Sequence, residues 1–79
     1  MLSPDSLAQL VNGIERGVRQ QYLEGHFVGV EPCIGPFGYY GSRYNVCLVT
    51  LDREPHLLIY YPDYDPLLEA PPKLQKIYP

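Results

Sequence analysis

Tyr44-Asn-Val-Cys-Leu-Val-Thr-Leu-Asp-Arg-Glu-Pro-His-Leu-Leu-Ile-Tyr-Tyr61 is the stretch on which the fold turns. Its two ends are rich in β-branched, aliphatic and aromatic residues, and Asp52-Arg-Glu-Pro55 between them is turn chemistry. The stretch reads as a hairpin with strands over about 44–51 and 56–61, ended by Pro62. Side chains along a strand alternate between faces. Val46 and Leu48 therefore oppose Cys47, Val49 and Leu51, while Leu57, Ile59 and Tyr61 oppose Leu58 and Tyr60. Both faces of the hairpin are apolar.

Toward the N-terminus, His26-Phe-Val-Gly-Val-Glu31 alternates as a third strand, with His26, Val28 and Val30 on one side. Pro32 to Gly41 holds three glycines and two prolines and reads as a loop or irregular turn. Before these, Leu7, Leu10, Val11, Ile14, Val18 and Tyr22 recur at helical spacing. Ser3 is a natural N-cap, Pro4 fits the first turn, Asp5 complements the helix dipole and Gly25 offers a stop, so a helix is expected over 4–24. Gly13 and Gly17 weaken that helix and suggest a close approach to the sheet or to another chain. The stretch 62–79 contains five of the nine prolines and is expected to be an extended tail.

The expected fold is one small α+β domain over 1–79, an N-terminal amphipathic helix followed by a three-stranded antiparallel sheet. Its order, helix–strand–strand–strand, resembles the opening of a double-stranded RNA-binding domain. The Pro-rich tail has no lysine-rich second helix to grip phosphates, so that activity does not carry over.

Charge narrows the function further. Six basic residues against nine acidic ones, without a basic cluster, argue against nucleic-acid binding. The first residues lack a basic and an apolar region of the secretory kind, and no apolar run is long enough to span a membrane, so a cytoplasmic, membrane-free protein is expected. With only two cysteines, Cys33 and Cys47 are expected as reduced, half-buried thiols.

Cys33, Cys47, His26 and His56 supply residue types for a metal site or a thiol-dependent enzyme. They lack the local spacing of a zinc site, and a thiol inside an apolar strand is poorly activated. No cofactor, metal or catalytic set is expected.

One helix covers one face of a sheet, yet both faces here are apolar, and soluble chains rarely leave a large apolar patch bare. The second face is expected to meet either the tail, through Leu67, Leu68, Leu74, Ile77 and Tyr78, or another chain. The functional reading is a non-enzymatic interaction module, a small subunit, adaptor or inhibitor that docks on a larger protein or on itself. Its contact residues are expected to be Phe37, Tyr39, Tyr40 and Tyr44 in the central loop, and Tyr60, Tyr61, Asp63, Tyr64 and Asp65 at the hairpin end. Tyrosine suits that role because it buries a large ring while keeping a polar tip.

Overall fold

The computed structural model describes residues 1–39, 42–62 and 71–78. One helix, α1 (Pro4–Glu15), precedes six strands: β1 (Gln20–Leu23), β2 (His26–Val30), β3 (Ile34–Tyr39), β4 (Ser42–Leu51), β5 (Glu54–Tyr60) and β6 (Lys73–Lys76). All pairings among the described residues are antiparallel, in the order β1-β2-β4-β5-β6, with β3 also on β4. The three-stranded sheet expected from the sequence is thus corrected to a six-stranded one, and the chain is mostly sheet.

The largest correction lies between residues 16 and 24. Helical spacing continues through Val18 and Tyr22, but the helix stops at Arg16. Gly17 takes φ +85°, and the N–H groups of Gly17 and Val18 turn back to the carbonyls of Ile14 and Gly13 at 2.9 and 2.8 Å. This pair of bonds satisfies the last helical carbonyls and needs a left-handed residue. Residues 20–23 then pair with 26–29, Leu23 opposite His26. Glu24 and Gly25, both with positive φ, make the two-residue turn whose twist suits a hairpin. Gly25 therefore ends a strand, not a helix.

At its start, α1 is capped as its sequence suggests. The Ser3 hydroxyl accepts from the Ser6 N–H at 3.3 Å, and Glu24, from the β1–β2 turn, accepts the Ser3 N–H at 2.7 Å. The Ser3 N–H first, and then the Ser6 side chain, hold the Glu24 carboxyl below its ordinary range. Gly13 has a packing reason: a β-carbon there would collide with the Gln21 amide, which donates to the Leu10 carbonyl. The close approach foreseen at Gly13 is to β1.

The second correction is β3. The Gly- and Pro-rich stretch after Pro32 pairs with β4, Ile34 opposite Val46 and Phe37 opposite Tyr44, with an irregularity between them that absorbs Gly35 and Pro36. One edge of β4 bonds β5 along Asn45–Leu51; the other is shared by β2 at Val49–Leu51 and β3 at Ser42–Val46. Where β2 gives way to β3, Cys33 and Cys47 are joined in a disulfide, Cα atoms 4.2 Å apart. The expectation of two reduced thiols is overturned, because β4 brings Cys47 directly across from the break between β2 and β3.

The core lies between α1 and one sheet face. Leu10, Val11 and Ile14 of α1 meet Leu23, Val28, Val30, Cys47, Val49, Leu51, Leu58 and Tyr60, all buried. In the tail, β6 extends the sheet beside β5 and sets Leu74 opposite Leu58, packed on this same core.

Candidate functional site

Among the described residues, the other face of the sheet carries no helix. Strand alternation places Tyr44, Val46, Leu48 and Thr50 of β4 on it, with Leu57, Ile59 and Tyr61 beside them and Ile34 and Phe37 across from β4. Phe27 and Tyr22, cross-strand partners, continue it onto β2 and β1. Ile34 is 61% exposed, Tyr22 76% and Leu48 42%, and Phe27 and Phe37 are exposed as well. Val46, Leu57, Ile59, Tyr44 and Tyr61 are half-buried by their neighbours. Among the described residues nothing lies over these side chains.

Aromatic rings sit at both ends of this face. At one end Tyr22 meets Phe27 edge-on, ring centres 5.2 Å apart. At the other, Tyr44 stands between Phe37 and Tyr61, at 5.8 and 6.5 Å. Such contacts add about 0.5–1.5 kcal/mol each beyond area burial and hold the rings in place before any partner arrives. The aliphatic side chains fill the middle.

The residues expected from the sequence divide sharply. Phe37, Tyr44 and Tyr61 come together on the helix-free face. Tyr60 points the other way, into the core, only 2% exposed; burial pushes its hydroxyl pKa up, and the Asn45 amide donates to that hydroxyl at 3.3 Å. It contributes nothing to an outer surface. Tyr39 ends β3, while Tyr40, Asp63, Tyr64 and Asp65 lie outside the described residues, as do Leu67 and Leu68 of the tail. The structure adds Tyr22, Phe27 and Ile34 to this face. Helical spacing puts Tyr22 on the helix and the Gly- and Pro-rich run puts Ile34 in a loop, so the sequence assigns neither to a sheet face.

The cysteine and histidine residues form no reactive set. Both sulfurs are bonded to each other. His26 Nδ1 lies 2.8 Å from an Asp52 carboxylate oxygen, and His56 Nδ1 lies 2.9 Å from the Glu54 carbonyl oxygen. Among the described residues no group of three or more His, Cys, Asp or Glu side chains is arranged to hold a metal ion.

A separate groove of about 300 Å³ opens on the core side between the N-terminal residues, β4, β5 and β6. Its walls are Leu2, Leu7, Leu51 and Leu74, with His56 and Lys76 at the rim. Lys76 is already paired with Glu54, and this bond raises its pKa.

Among the described residues no helix is long and apolar enough to cross a membrane. The chain matches no family model, no curated protein and no solved structure.

Proposed function

We propose that this chain is a non-enzymatic protein-interaction module, a small subunit that works by docking the helix-free face of its sheet on another folded polypeptide. One observation carries the reading: among the described residues the face away from α1 gathers aliphatic and aromatic side chains from β1 to β5, β3 included, with Tyr22, Ile34 and Leu48 exposed, while α1 packs on the opposite face. Leaving so much apolar surface in water costs roughly 25 cal/mol per Å², and covering it is the driving force for association. Rigid aromatic anchors at both ends suit an interface, because their few rotatable bonds cost little entropy on docking.

The contact set is Tyr22, Phe27, Ile34, Phe37, Tyr44 and Leu48, supported by Tyr61. It keeps Phe37, Tyr44 and Tyr61 from the set expected from the sequence, adds Tyr22, Phe27, Ile34 and Leu48, and omits Tyr60. The chemistry stays non-catalytic in this reading, because a bonded cysteine pair offers neither nucleophile nor thiolate ligand. The Cys33–Cys47 bond also favours an oxidising compartment over the cytoplasm expected from the sequence, since structural disulfides persist in such surroundings.

Photo-crosslinking tests the reading. A benzoylphenylalanine at position 37 or 22 of the full chain, in producing cells, should give a discrete adduct to a polypeptide; the same group at Asn12, on the exposed side of α1, should not. Absence of any polypeptide adduct from both sheet positions would overturn it.

A further inference from the structure

The helix-free face has an internal pattern that bears on what covers it. The charged side chains that the described register sets on this face are Glu31 and Lys73. The Glu31 N–H bonds to the Leu48 carbonyl at 2.9 Å, which continues the β2–β4 ladder and stands Glu31 beside Leu48. Lys73 is opposite Ile59 on β6. One is thus on the β2 flank and the other on the β6 flank, with β4 and β5 between them.

We infer that the occupant of this face is a second copy of this chain, stacked sheet on sheet with both helices outward; the inference rests on the interaction reading above and names its partner. A closed dimer requires the same patch to fit itself about a two-fold axis. An axis running along the strands between β4 and β5 does this. It lays the aliphatic strip of Val46, Leu48, Leu57 and Ile59 on its own counterpart and brings the Phe37, Tyr44 and Tyr61 rings to the same end as the partner's. It also carries the Glu31 flank of each copy over the Lys73 flank of the other. Opposite charges then meet twice, where an arrangement with like charges juxtaposed is penalised.

Net charge and size agree. The chain carries a formal charge of −3, yet among the described residues this face sets one carboxylate and one ammonium, so the described part of the face brings no net like charge to a second copy. Four overlapping strands, β2, β4, β5 and β6, about 4.8 Å apart over a length of roughly 24 Å, give each copy a footprint of about 450 Å². Two copies bury roughly 900 Å² in total, the size of weak, transient interfaces, which corresponds to a weak, concentration-dependent dimer.

Sedimentation equilibrium of the oxidised full chain, from about 2 to 400 µM at moderate salt, is expected to show mass rising from one chain to two. Leu48→Glu, which sets two carboxylates against the centre of the interface, should raise the dissociation constant by at least about 100-fold with an unchanged far-ultraviolet circular dichroism spectrum. Glu31→Lys should raise it about 5- to 10-fold, and Glu31→Lys combined with Lys73→Glu should bring it back to within about 3-fold of the parent. If Leu48→Glu fails to fold, the charge-reversal pair decides. A single-chain mass at every concentration, or a dimer indifferent to the charge reversals, overturns the inference. An adduct from position 37 to a different protein overturns it while leaving the interaction reading intact; no adduct at all overturns both.

Discussion

Leu58 and Leu48 are the same residue type on neighbouring strands, and the sheet assigns them opposite fates. Leu58 is fully buried against α1, so Leu58→Ala should cost about 2–5 kcal/mol, read as a lower urea midpoint with unchanged slope. Leu48 faces outward, and Leu48→Ala, measured in dilute solution below self-association, should stay within about 0.5 kcal/mol. Equal losses at the two positions would mean that both faces are covered within one chain. Glu24 is a different kind of case, a turn residue that acts on a helix. Its pKa is depressed in the folded chain, so its contribution is present above the unfolded carboxylate range and lost as pH falls through the lower, folded value. Glu24→Gln should remove that component, so that unfolding midpoints of variant and parent converge as the solution is acidified below about pH 4.

At the scale of elements, β4 organises the molecule, since β2, β3 and β5 all bond to it. The disulfide pins its weakest junction, the irregular passage from β2 to β3. Cys33 and Cys47 are 14 residues apart, a loop for which closure of the unfolded chain is worth about 3 kcal/mol. Replacing both by Ser should lower stability by about 2–4 kcal/mol, and a reductant should do the same to the parent while leaving the variant unmoved. Hydrogen exchange should quicken first in β3, which relies on β4 for its ladder. The start of the helix, β4 and β5 were legible in the sequence because the N-cap, alternation and turn residues agree there. β1 and β3 were not. Gln20–Leu23 lies where Ile14, Val18 and Tyr22 keep helical spacing, and Ile34–Tyr39 carries the glycines and proline of a loop. Each becomes a strand because an adjacent strand supplies its hydrogen-bond partners.

For the molecule as a whole, β6 shows how a short chain uses its tail. It adds an edge beside β5 and brings Leu74 to the core. Truncation after Ala70 removes both contributions and should cost about 1–3 kcal/mol, seen in thermal melts, with increased aggregation from the bare β5 edge. Undiminished stability would assign β6 no part in the core. The bare second face was itself visible in the alternation of residues 46–61, which is apolar in both phases. Its full extent was not, because Tyr22, Phe27 and Ile34 join it from segments distant along the chain.

By itself the sequence determined the start of the helix, the central hairpin and the excess of apolar surface, all of which depend on neighbours within a few residues. Tertiary structure decided where the helix stops, that the cysteines meet, that Tyr60 turns inward and which aromatic residues share the outer face. These outcomes depend on partners in other elements and on backbone turns such as that at Gly17, whose hydrogen bonds and packing outweigh the small local preferences that a periodic pattern records.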